Sequence, residues 1–159
     1  MNAVVRLLLN LSFDTELRSK MIRAGMLSKL VALLADDRNQ NPVCCVLYHL
    51  SMDDKVKSMF TYTECIPIVM RLILETTEEQ VDLEIMSLAI NLAANKRNAQ
   101  LICEGHGLRV SSMICVHALE LCHQFHVNTS PRFPRWNKEV IWAFYRFSLR
   151  VISSLFHSN

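Results

Sequence analysis

An all-α solenoid is the fold class that this 159-residue sequence predicts, on three observations. The chain repeats itself at a nearly fixed spacing. Within each copy the apolar residues recur at helical intervals. Half of the chain is hydrophobic, with only three glycines and four prolines to interrupt helices.

At an offset of 39, Asn10 falls on His49, Leu11 on Leu50, Ser12 on Ser51 and Asp14 on Asp53, and the register continues through Met21 on Phe60 to Leu33 on Leu72 without a gap. An offset of 42 carries it on, from His49 to Asn91, Leu50 to Leu92, Asp53 to Asn95, Lys55 to Arg97 and Ile66 to Leu108. A period near 40 residues with helical spacing of apolar positions points to an α-solenoid of the armadillo or HEAT type.

The elements follow in order. Residues 1–13 read as the third helix of a repeat whose first two helices are missing. Asp14 can cap a short helix over 15–24, with Leu17, Met21 and Ile22 on one face. Gly25 suits the turn that ends it. Residues 26–35 form a second helix, apolar almost all round, as expected of a sandwiched element. After the loop DDRNQNP, Pro42 sits in the first turn of a third helix running to about residue 51, where its missing N–H costs nothing. The next copy predicts helices over 55–62, 66–75 with Pro67 at its start, and 78–94. Residues 95–103 open a further copy, with Gly105 and Gly107 in its turn. Three helices per period favour the armadillo repeat over the two-helix HEAT repeat. The expected organisation is therefore an armadillo-type α-solenoid fragment over 1–108, divided into a partial repeat 1–13, full repeats 14–52 and 53–94, and a partial repeat 95–108, then a divergent tail over 109–159.

Several function classes find no footing. The net charge is +2, from 17 basic and 15 acidic residues, which is no field for nucleic acid. No uncharged stretch reaches the ~18 residues of a membrane span; the nearest, residues 140–156, carries Arg146 and Arg150. No secretory signal is recognisable at the N-terminus. No phosphate-binding glycine loop, G-x-S-x-G or H-E-x-x-H occurs. The six cysteines have no C-x-x-C spacing, and most lie among apolar residues, which fits buried free thiols in a reducing compartment. Cys44 and Cys45 read as helix packing, because no neighbouring base is present to activate either. Cys115, His117, Cys122, His123 and His126 have zinc-ligand chemistry without the spacing of an ordinary finger. A zinc or thiol protein using that tail is the alternative from another function class. The acids Glu75, Glu78, Glu79, Asp82 and Glu84 cluster around a helix start, as a solvated face or as a docking patch for a basic partner.

Two resemblances add to this reading. Asn10-Leu11-Ser12 and Asn91-Leu92-Ala93 resemble the armadillo signature, whose third helix ends in an Asn-Leu pair. That resemblance implies that the third helices line a concave groove, where the asparagine bonds an extended peptide through its donor and acceptor. The candidate ladder is Asn10, His49 and Asn91, followed by Lys96 and Arg97. His49 departs from the pattern, and the other reading of these side chains is local satisfaction of backbone at a helix end. More closely, the strings RLLLNLSFDTELRSKM, CVLYHLSMDDKVKSMFTYTECIP and INLAANKRNAQLICEGHGL resemble the kinesin-associated protein family, over residues 5–108. The resemblance implies the non-motor armadillo subunit of heterotrimeric kinesin-II. Such a subunit is a non-enzymatic adaptor without a cofactor. It binds motor-subunit tails and cargo in the cytoplasm, on microtubules and at cilia.

Beyond Leu108 neither the strings nor the 40-residue register continues by eye. Two prolines break VNTSPRFPRWNK, and an aromatic-rich run follows, which reads as an interfacial or a buried helix. Val110-Ser111 can be spelled GTG-AGT, the common start of an intron, so the tail reads as translated intron or an alternative exon.

Overall fold

A computed structural model describes residues 3–75 and 82–104. Eight α-helices and no strand occur among the described residues: α1 Ala3–Leu11, α2 Thr15–Arg23, α3 Met26–Leu33, α4 Gln40–Leu50, α5 Asp54–Met59, α6 Cys65–Glu75, α7 Leu83–Ala93 and α8 Lys96–Glu104. A 3-10 turn, Phe60–Tyr62, extends α5. The fold class is the expected armadillo-like α-solenoid.

The helix starts repeat their chemistry. Asp14 stands in extended backbone (φ −88°, ψ 128°) and its Oδ1 accepts the Leu17 N–H at 2.9 Å. Asp53 has nearly the same angles (φ −82°, ψ 124°) and accepts the Lys55 N–H at 2.8 Å. Asn95 does this for α8, with Oδ1 accepting from Arg97 N at 3.0 Å and Asn98 N at 3.2 Å. Each cap satisfies donors that the first turn leaves without an intrahelical partner.

The joints between first and second helices differ. Gly25 takes the left-handed conformation (φ 67°, ψ 27°) and lets α3 start directly after α2. One period on, the same position is Glu64, and the left-handed turn is not used. The chain instead tightens into the 3-10 turn and then extends at Thr63 (φ −125°, ψ 163°), whose N–H bonds the Phe60 carbonyl at 3.1 Å. The single helix expected over 55–62 is therefore α5 plus a 3-10 turn. The helix expected over 78–94 is corrected too: Asp82 is extended (φ −51°, ψ 131°), so α7 begins at Leu83. Residues 78–81 of that expectation lie outside the described residues. Pro42 and Pro67 fall at the third positions of α4 and α6, still within the first turn.

Third helices stack on third helices. α4 packs against both α1 and α7, while α3 packs on α4 and α6 on α7 within their own repeats. Every residue of α4 from Val43 to Leu50 except Cys45 is buried, and Val43, Cys44, Val46 and Leu47 have no exposed surface. α7 is buried to the same degree, from Ile85 to Ala93 except Ser87. One continuous core runs from Val5 to Ile102. The outer elements are amphipathic: α2 buries Met21 and turns Glu16 and Lys20 to solvent, where they pair at 2.9 Å.

Candidate functional site

The candidate site is the line along which the C-terminal ends of α1, α4 and α7 meet. Ser12, just past α1, is fully buried, and its hydroxyl donates to the Leu9 carbonyl at 2.7 Å. Its proton is thereby committed, so its oxygen accepts from His49 Nδ1 of α4, 2.6 Å away. With this assignment, which matches the Asn91 donor one repeat on, the His49 proton sits on Nδ1. The next interface repeats the arrangement. Ser51, also fully buried, donates to the Tyr48 carbonyl at 2.7 Å, and Asn91 Nδ2 of α7 donates to the Ser51 oxygen at 2.5 Å. The first two copies thus end in a serine whose oxygen accepts a hydrogen bond from the ladder residue of the next repeat, while the third copy has Ala93 at that position. A second latch joins first helices. Asn98 of α8, fully buried, donates to the Lys57 carbonyl at 3.0 Å and accepts from Thr61 at 2.7 Å.

The ladder expected from the sequence is therefore divided. Asn10, Lys96 and Arg97 are exposed. His49 and Asn91 are only 8% and 1% exposed. They bond neither an open groove nor nearby backbone, because their partners are hydroxyls one repeat away. The sequence carried a signal for those partners in the identity of Ser12 and Ser51 at the repeat offset. It carried none for Asn98, which stands where the earlier copies have Leu17 and Val56.

The sequence pattern described as Kinesin-associated protein (KAP) matches residues 1–121 of the 159. The chain belongs to the kinesin-associated protein family. Membership carries a kinesin-associated adaptor role and agrees with the armadillo-like stack. The family match reaches further than the strings that resemble it. It takes in Val110 and Ser111, where an intron-encoded tail would have begun, and runs to residue 121. No solved structure matches the chain.

The electrostatics of the site suit a stack rather than a reaction centre. Burial, with the Arg18 cation nearby, holds the His49 pKa below its ordinary value, so the ring is neutral near pH 7. Arg18 donates to the carbonyls of Ser12 at 2.7 Å and Phe13 at 3.2 Å, which closes the carbonyl end of α1. The Phe13 ring covers His49, with centroids 4.6 Å apart. The described cysteines are poor nucleophiles. Burial raises the Cys44 thiol far above its usual range, Cys65 to about 12 and Cys45 to about 11, and each shift disfavours the thiolate. Among the described residues no three His, Cys, Asp or Glu side chains gather as a metal group, and no helix is long and apolar enough to cross a membrane. The Cys/His cluster over 115–126, the helix weighed over 140–156 and, of the acidic cluster, Glu78 and Glu79 lie outside the described residues.

Proposed function

We propose that this member of the kinesin-associated protein family is a non-enzymatic adaptor module that holds kinesin-II motor-subunit tails, cargo, or both, in microtubule-based and ciliary transport. It would act in the cytoplasm, on microtubules and at cilia. The family match across residues 1–121 carries the reading. The repeats support it, since a stack of short helices offers one long surface built from equivalent positions. Of the groove candidates, Asn10, Lys96 and Arg97 are the side chains exposed for contact with a partner. His49 and Asn91 serve the same surface indirectly, by fixing the spacing between repeats.

The test is retention of purified kinesin-II motor subunits on the immobilised 159-residue chain, with a full-length member of the family as positive control. The reading expects retention of at least one motor subunit, or of a cargo protein that the control also retains. Retention of neither by this chain, while the control holds both, would remove the adaptor role.

A further inference from the structure

Equivalent positions divide each third helix into two sides. One row is Val4 and Leu7 on α1, Val43 and Val46 on α4, and Ile85 and Leu88 on α7. This row meets the preceding repeat. It is buried on α4 and α7, while on α1, which no described helix precedes, Val4 is 60% and Leu7 56% exposed. The opposite row is Val5, Leu8, Leu9 and Ser12 on α1, and Cys44, Leu47, Tyr48 and Ser51 on α4. It meets the following repeat, through the bonds from His49 to Ser12 and from Asn91 to Ser51.

On α7 that opposite row is Met86, Ala89, Ile90 and Ala93. The main described neighbours of α7 are α4, α6 and α8. None of them stands to α7 as α4 stands to α1, or as α7 stands to α4. An uncovered row would be open, as Val4 and Leu7 are. Instead Met86 is 1%, Ala89 0% and Ala93 3% exposed. α8 follows α7 as α5 follows α4, and α4 still has its outer row covered by the next third helix.

Two stretches beyond residue 104 are apolar enough to supply such a cover, 108–121 and 140–156. The family match takes in 108–117, the places that 66–75 of α6 fill one repeat earlier. The second helices α3 and α6 pack on the third helix of their own repeat, so a stretch in that place calls for a third helix rather than replacing one. The run 140–156 has the composition for it. α4 and α7 are buried nearly all round, which demands an apolar circumference. At helical spacing Glu139, Arg146, Arg150 and Ser153 make one narrow polar stripe, with Ile141, Phe144, Val151 and Leu155 opposite. The keys agree as well. Ser12 and Ser51 each receive a donor from the next third helix, whereas the third copy has Ala93, which asks for none. The run 140–156 holds neither asparagine nor histidine. Ala89, standing where α4 has Leu47, leaves room for an aromatic ring.

We propose that the aromatic run 140–156 packs on the Met86–Ala93 row of α7 and closes the stack as its last third helix. The end of the stack is then occupied by the chain's own tail and is not open to a second copy or to a partner. The 35 residues from 105 to 139 leave ample chain to return across a stack whose neighbours lie about 10 Å apart. The proposal goes beyond the adaptor reading and stands without it.

The experiment uses the full 159-residue chain with photoreactive p-benzoylphenylalanine in place of Phe144 and, in a second variant, of Arg146. Each is irradiated in dilute solution and digested for mass spectrometry. The probe at position 144 captures a peptide from residues 83–94 of the same chain. It does so roughly fivefold or more above the probe at 146, because the two positions lie on opposite faces of the run. Both tryptophans, Trp136 and Trp142, lie in the tail, so their fluorescence reports on it without any change to α7. In Trp136→Phe, acrylamide quenches Trp142 several-fold less readily than in the same chain unfolded in urea. Capture of another element, capture between two chains, or equal capture from positions 144 and 146 overturns the proposal. Trp142 quenched as freely in the folded chain as in urea also overturns it. The quenching comparison decides alone if the photoreactive variants fail to fold.

Discussion

His49 stands where the copies on either side have asparagine, and the structure gives the substitution a chemical meaning. Nδ1–H of a histidine and Nδ2–H of an asparagine both reach a serine oxygen in the preceding repeat. His49→Asn should therefore keep the bond to Ser12 and cost no more than about 1 kcal/mol near neutral pH. His49→Ala leaves the Ser12 oxygen without its donor and should cost about 1–3 kcal/mol, read from urea unfolding. Acid separates histidine from asparagine. The folded chain resists protonating His49 while the unfolded chain does not, so its contribution is complete above the ordinary histidine value of 6.5 and fades as the pH falls below it. The melting temperature of the parent chain should drop between pH 7.5 and 5.5 by more than that of His49→Asn. Parallel drops in the two proteins would show that His49 is not the group responsible.

At the scale of the element, the repeat offset made the caps legible, because a cap is local chemistry: an acid or amide two or three residues ahead of the N–H it accepts. Asp14→Ala and Asp53→Ala should each cost about 1 kcal/mol, and the double variant should cost the sum within about 0.5 kcal/mol, since the two caps share no partner. Gly25 was equally legible, and Gly25→Ala should cost about 1–2 kcal/mol from backbone strain alone, because an added Cβ meets nothing within 4 Å. Denaturation midpoints of the four variants check this. The second joint was harder to read. Nothing in Phe60-Thr61-Tyr62 announces a 3-10 turn; the cause is the glutamate at position 64, where the first copy has Gly25. Ser12 and Ser51 recur at the repeat offset, but their pairing with His49 and Asn91 was not legible, for another reason. Periodicity places a residue on a helix face, but it does not say whether the neighbour across that face is solvent, a ligand or the serine of another repeat.

Across the whole chain, the stack depends on its middle. Leu47 has no exposed surface and lies on α4, which packs against α1, α3 and α7. Its counterpart one period earlier, Leu8, is only half-buried on α1. Leu47→Ala should cost about 2–5 kcal/mol and broaden or divide the thermal transition, whereas Leu8→Ala should cost visibly less. The interlock between repeats has its own signature. Ser51→Ala strands the buried Asn91 carboxamide, whose Oδ1 has no partner among the described residues. In an Asn91→Ala background that penalty disappears. A double-mutant cycle should give a coupling of about 0.5–3 kcal/mol, and additivity would deny the interlock.

The claim that ties these scales together is that a keyed stack of armadillo-type repeats serves as a kinesin adaptor. Its most direct test is an equilibrium titration of purified kinesin-II motor-subunit tails with the 159-residue chain, and with its Leu47→Ala variant below that variant's melting point. The expected result is saturable binding by the parent chain and weakened binding when the middle of the stack is loosened. A parent chain that is folded and helical by circular dichroism yet binds neither tail at any accessible concentration, beside a full-length family member that binds, would contradict it.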